Sequence, residues 1–182
     1  MIVVVGLSHK TSTLELREAL AFGKDRLAEA LLRLRQDAAA SEAMILSTCN
    51  RVELYAKSEE GGAESLARFL ASYHGRRVED LAPAVYRLGG AEAVRHAFRV
   101  AASLDSMVLG EPQILGQVKD AYQAAEEAGT LGSALNALRN RSLAAAKRAR
   151  SETGIGHNAV SVSYVAVELA RKIFGHLRDK NV

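Results

Sequence analysis

The chain has 182 residues, of which 48% are hydrophobic and 25% charged, with a formal net charge of +3 and a single cysteine. That length suits one well-packed domain with a helical extension and excludes two domains of ordinary size, and the composition excludes a disordered chain. No apolar run approaches the ~20 residues of a membrane helix, one cysteine excludes an internal disulfide, and the N-terminus lacks signal-peptide flanks, so the chain reads as cytoplasmic.

Residues 1–8 form a β-branched run too short for a buried helix and predict a first strand, with Gly6 marking close backbone approach. From 13 to 38, Leu14, Leu16, Leu20, Leu27, Leu31 and Leu34 recur at helical spacing. A break near Gly23-Lys24-Asp25 divides this run into two helices, with Asp25 as N-cap of the second. Residues 43–47 and 52–57 predict two short strands joined by the polar Thr48-Cys49-Asn50-Arg51. After a loop at 59–62, Leu66, Phe69, Leu70 and Tyr73 mark a helix stopping near Gly75, and a strand is expected over 84–88. The second half predicts helices over 91–102, 112–128, 133–152 and 161–177, with Pro112 in a first turn, Gly129 as a stop and Ser161 as a cap. The expected fold class is α+β. A βαβ-type small sheet with helices on one face occupies 1–150, and a loop and connector helix occupy 151–182.

By residue type alone, a single cysteine at a strand end is more often a small buried hydrophobe than a nucleophile. Its neighbours argue the other way: Thr48 and Asn50 bring hydrogen-bonding groups and Arg51 a permanent charge. That guanidinium either favours a thiolate or forks onto a substrate carboxylate, and the two jobs compete for it. Between Leu104 and Gln117 an acid, a hydroxyl and two amides surround a turn that opens a helix. Gly110, Glu111 and Pro112 read as helix punctuation, while Gln113 and Gln117, four apart, share a face on which a polar ligand fits. His96 on its predicted helix is either structural or an acid–base group. His9, His74, His157 and His176 show no metal-ligand spacing, so no metal centre is expected. Arg139, Arg141, Lys147, Arg148 and Arg150 are a solvated face or a phosphate-binding stretch. No GxGxxG or GxxxxGK[ST] loop is present to cradle a nucleotide.

Four runs, GLSHKT from Gly6, LSTCNRVELYA from Leu46, LDSMVLGEPQILGQVKDAY from Leu104 and SETGIGHNAVSVSYVAVELA from Ser151, together resemble glutamyl-tRNA reductase over nearly the whole chain. The resemblance implies a catalytic domain, a long spinal helix, an NADPH domain and a dimerisation domain. It implies reduction of the glutamate of glutamyl-tRNA by NADPH to glutamate 1-semialdehyde, the first step of tetrapyrrole (porphyrin and heme) synthesis. It places the nucleophile on Cys49, glutamate recognition on Thr48, Asn50, Arg51, Ser106, Glu111, Pro112, Gln113 and Gln117, and a histidine tied to activity on His96. A thiolate is suited to the task, because the aminoacyl ester is already activated toward thioester formation.

The full-length enzyme is expected to be a homodimer that hands its product to the next enzyme of the pathway. This chain, which stops near where the NADPH domain's first strand begins, is expected to be a monomeric fragment that binds neither cofactor nor membrane. It should lack reductase activity yet acylate itself with, or hydrolyse, glutamyl-tRNA. Three positions depart from the family pattern: Ser103 stands for a usual Gly, Ser12-Thr13 for Ala-Pro, and His157-Asn158 for Arg-Gly. The competing readings are a tRNA- or partner-docking module with a buried Cys49, and a thiol redox sensor, which the lack of a resolving cysteine disfavours.

Overall fold

Strands β1 (Ile2–Ser8), β2 (Glu42–Ser47), β3 (Arg51–Lys57) and β4 (Tyr86–Gly89) form one sheet in a computed structural model that describes residues 1–59, 61–156 and 162–175. The strand order is β2-β3-β1-β4 and every pairing is antiparallel. Helices α1 (Leu14–Ala19) and α2 (Leu27–Asp37) link β1 to β2. Helix α3 (Gly62–Tyr73) and the single turn α4 (Val78–Leu81) link β3 to β4. Because β3 opposes both β1 and β2, the first crossover joins like-directed strands with β3 between them, and the second does the same around β1. The sheet is therefore two interlocked split βαβ units.

The remaining helices are α5 (Gly90–Ala101), α6 (Gln113–Glu127), α7 (Ser133–Glu152) and α8 (Val162–Phe174). Helices α2 and α3 pack on β2 and β1, and α5, α6 and α7 pack on β1, β2 and β3. Consecutive residues of β1, β2 and β3 are buried, which requires cover on both faces and corrects the expectation of one. The physical reason lies in β1 and β2, whose apolar runs are continuous rather than alternating, as for strands buried on both sides; β3 alternates, but its Arg51 and Glu53 are buried as well. The stripe Ala93, Ala97, Val100 and Ala101 is buried; its small side chains let α5 approach the sheet closely and bring His96 over β3.

The exposed edge of the sheet is closed by the turn between α6 and α7. Ala43 N–H donates to the Thr130 carbonyl and the Thr130 hydroxyl donates to the Ala43 carbonyl, both at 2.9 Å, so β2 offers no free edge there. Glu42 is buried beside it, and its carboxylate accepts the N–H groups of Ala134 (3.1 Å) and Leu135 (2.7 Å) at the start of α7. Gly132 has no side chain at this cap, and a Cβ on it would lie 2.5 Å from the Glu42 carboxylate carbon. The cap is thus supplied from the sheet.

Asp25 is not an N-cap. It lies inside a 3-10 turn, Lys24–Arg26, and α2 starts after Arg26 without a side-chain cap. Residue 150, where the first domain was expected to end, falls in the last turn of α7. Of the basic stretch on that helix, Arg139 pairs with Glu126 and Arg148 with Glu152. Ser161, His157, Asn158 and His176 lie outside the described residues. No described helix is long and apolar enough to cross a membrane.

Glu42→Ala removes the anionic cap of α7 and should lower the unfolding free energy by about 1–2 kcal/mol. Urea titration followed by circular dichroism should show an earlier midpoint at unchanged slope, and an unmoved midpoint would show that the helix start is satisfied otherwise.

Candidate active site

The register of β2 and β3 ends at Ser47 opposite Val52, leaving Thr48 to Arg51 as a tight hairpin turn with Cys49 and Asn50 at its tip. Thr48 braces it: its N–H donates to the Arg51 carbonyl (2.9 Å), and its hydroxyl oxygen accepts the N–H groups of Asn50 and Arg51 at 3.2 Å. Both tip carbonyls are pinned from outside. That of Cys49 accepts Arg17 Nε (3.1 Å) and that of Asn50 accepts the His9 N–H (2.9 Å). Arg17 is itself buried and also donates to the Ser12 carbonyl (2.7 Å). The turn is therefore held rigid while Cys49 is exposed, which corrects the reading that placed this thiol in the core.

Behind the turn, Arg51, Glu53 and Tyr55 share one side of β3 at two-residue spacing. Glu53 is fully buried and its carboxylate gathers four donors: Arg51 Nη1 (2.6 Å), the Tyr55 and Tyr86 hydroxyls (each 2.5 Å) and His96 Nε2 (2.9 Å). Gly6 makes this reach possible. It is paired with Glu53 on one side and Tyr86 on the other, and a Cβ there would lie 2.8 Å from Glu53 Cγ. Burial alone would raise the Glu53 carboxyl, but the His96 hydrogen bond, the Arg51 charge and the Tyr55 hydroxyl outweigh it and lower it from 4.5 to about 2. Burial and the Glu53 charge push the Tyr86 hydroxyl far up, so it stays a donor.

Arg51 also reaches across to the loop after α5, donating through Nη2 to the Asp105 carbonyl (2.5 Å) and carboxylate (3.3 Å). Its fork is thus taken up by Glu53 and Asp105, and its side chain is only 1% exposed. Lys10 forms a second ion pair with Asp105. Burial opposes the Asp105 charge, but Lys10 and Arg51 overcome it and hold the carboxyl below its ordinary range. Burial, together with the Arg51 and Lys10 charges, keeps His9 below the usual imidazole value, so a neutral ring adjoins the turn.

The far end of the loop is tied to α7. Arg150 Nη2 donates to the carbonyls of Gly110 (2.8 Å) and Glu111 (2.6 Å) and lies 3.3 Å from the Ser103 hydroxyl, which donates to the Glu111 carbonyl (2.8 Å). Ser103 is buried with φ +61°, a left-handed conformation that glycine adopts at less cost. Ser103 thus holds a glycine-like backbone, and its hydroxyl adds a bond across the loop. At Gly110, φ is +79° and a Cβ would lie 2.0 Å from the Ile155 carbonyl oxygen, so no side chain fits there.

Turn, loop and helix together enclose a pocket of about 140 Å³. Thr48, Cys49, Asn50 and Arg51 line it from the turn, Ser106 and Glu111 from the loop, and Gln113 and Gln117 from α6. Two residues singled out from the sequence lie elsewhere. Pro112 is exposed at the N-cap of α6, and His96 faces Glu53 from α5 instead of lining the pocket. Sequence reasoning missed the apolar wall of Met107 and Ile114, and the supports Lys10, Arg17, Glu53, Tyr86 and Asp105. Only Glu53 carried a signal, as an acid in the interior of an apolar strand beside Arg51. Among the described residues no cluster of His, Cys, Asp or Glu converges as metal ligands would.

A family model described as the N-terminal domain of glutamyl-tRNA reductase matches residues 5–153. A glutamyl-tRNA reductase of Syntrophotalea carbinolica is 56% identical over 182 residues, covering 99% of this chain and 41% of the relative. One from Neisseria meningitidis is 50% identical, covering 100% of this chain and 43% of the relative. The solved glutamyl-tRNA reductase of Methanopyrus kandleri superposes with a TM-score of 0.76 at 38% identity, over 94% of this chain and 39% of that one. The chain thus spans about two fifths of the length of these relatives.

Glu53→Gln removes the fully buried counter-charge of Arg51, leaving it only the Asp105 carboxylate, and should cost about 3 kcal/mol at neutral pH. Because the folded carboxyl lies below its ordinary 4.5, its stabilisation is present above that value and lost as pH falls from there through about 2. Urea midpoints across that window should fall less steeply in the variant than in the parent; parallel slopes would contradict the assignment. In a separate test, Arg150→Ala should speed hydrogen exchange of the Gly110 amide about tenfold or more without changing that of Thr48, and an unchanged Gly110 rate would show that the loop holds itself.

Proposed function

The chain belongs to the family of glutamyl-tRNA reductase N-terminal domains, and from that premise we propose that Cys49 takes the glutamyl group of glutamyl-tRNA as a thioester. The observation that carries the reading is the exposed Cys49 on a rigid turn, at the edge of a pocket of about 140 Å³ that combines polar side chains with an apolar wall. That volume suits one amino-acid moiety and is too small for a nucleotide.

The thiolate sulfur bonds to the ester carbonyl carbon, the bond from that carbon to the ribose oxygen breaks, and the released hydroxyl takes up the proton given by the thiol. Arg51 and Glu111 supply one cation and one anion to the lining, complementary to the side-chain carboxylate and the α-ammonium of glutamate. Ser106, Gln113, Gln117, Thr48 and Asn50 complete the hydrogen bonding, and Pro112 sets the start of the helix that presents the two amides. His96 acts as a positioning residue: through Glu53 it fixes the Arg51 guanidinium.

Reduction by NADPH belongs to the whole protein. This chain has no phosphate-cradling glycine loop, and the Cys49 pocket does not fit a dinucleotide, so no hydride step is assigned to its residues. A homodimeric whole protein, handing glutamate 1-semialdehyde to the next enzyme of tetrapyrrole synthesis in the cytoplasm, completes the reading. On its own, the chain loads Cys49 and releases glutamate when water attacks the thioester. An exposed Cys49 disfavours the docking module with a buried thiol.

Incubation with tRNA charged with radiolabelled glutamate should leave acid-stable, base-labile label on the protein. Cys49→Ser should abolish it while leaving tRNA binding intact. Binding without transfer in the parent chain would instead make it a docking module, and reaction of the thiol with peroxide alone would make it a sensor.

A further inference from the structure

Resting on the thioester reading, we infer that the groove between β2 and α6 is the binding site for the terminal nucleoside of the charged tRNA. The Cys49 pocket, at about 140 Å³, holds the acyl half of the ester and leaves its alcohol half outside. Next to it lies a groove of about 480 Å³, within the ~300–1,000 Å³ common for small-molecule sites. The two cavities share Gln117.

Their walls are continuous. One face of α6 runs from Gln113 and Gln117 in the pocket to Ala121 and Ala124 in the groove, a path of about 16 Å from Gln113 to Ala124 at 1.5 Å per residue. Opposite, the chain that lines the pocket at Cys49 and Thr48 lines the groove at Ser47, Leu46 and Ile45. The end of the groove near the turn is fixed by the Phe22 N–H, which donates to the Ser47 hydroxyl (3.0 Å). An alcohol leaving from an ester held at Cys49 therefore has a seam leading directly away from it.

The lining selects the kind of ligand. Apolar side chains share the walls with the neutral Ser47, Gln117 and Gln123, and the ionised groups are Lys24, Asp120 and Glu127, one cation against two anions. A phosphodiester is disfavoured there by the excess negative charge. A neutral nucleoside is favoured, because its flat base covers apolar surface and its hydroxyl and amino groups donate to carboxylates.

The test compares two glutamyl donors: glutamyl-tRNA, and glutamate α-methyl thioester, which carries the acyl group without a nucleoside and loads Cys49 with release of methanethiol. Ala124→Phe fills the groove and should slow loading from subsaturating glutamyl-tRNA by about 10- to 100-fold, with the methyl thioester rate unchanged. The exposed Asp120→Lys should also slow the tRNA reaction alone. Equal loss with both donors, or no loss with either, would overturn the groove assignment. Faster loading from tRNA in Asp120→Lys would overturn it too, by placing a phosphate there. If the parent chain is loaded by neither donor, the thioester reading itself falls.

Discussion

A single buried carboxylate organises the site. Glu53 has four donors for an acceptor-only group, and those donors come from β3, β4 and α5. An ion without partners in the core would neutralise or unfold the chain; one surrounded by fixed donors does neither and locks the donors in place. Arg51 is the member that matters for the surface, because its other nitrogen reaches Asp105. The hairpin carrying Cys49 and the loop carrying Ser106 are thereby fixed relative to each other by one guanidinium. Gly6 is the steric condition for all of it, since any side chain there would occupy the path of Glu53.

A second guanidinium does for the other end of the loop what Arg51 does for the first. Arg150 gathers the carbonyls of Gly110 and Glu111, so the segment from Ser103 to Glu111 is held between the sheet and α7. Pre-organisation of this kind reduces the ordering that substrate binding must impose. It also means that the pocket is assembled from parts far apart in the chain: a turn at 48–51, a loop near 106–111 and a helix face at 113–117.

This assembly explains what could be read from the sequence. Strand runs at 43–47 and 52–57 and the polar turn between them were legible, because a hairpin is local and its apolar flanks and polar tip announce it. The face shared by Gln113 and Gln117 was legible from helical spacing alone. Cover on both sides of the sheet was missed, although the unbroken apolar runs of β1 and β2 carried a signal for it, and which helices cover which face depends on topology. Arg17, a buried arginine on a six-residue helix, left no trace in the pattern. His96 was recognised as a residue of interest, yet its partner lies 43 positions away, and no periodicity connects them. The resemblance to a known family supplied the chemistry proposed for Cys49, and its geometry came from the fold.

The account stands on Cys49 receiving a glutamyl group in a pocket that recognises glutamate. The most direct measurement is peptide mapping by mass spectrometry after exposure of the chain to glutamyl-tRNA and, in parallel, to glutaminyl-tRNA. The account predicts one added glutamyl group on the peptide containing Cys49 with the first and none with the second. An unmodified Cys49 peptide in both reactions, or equal loading from both, would contradict it.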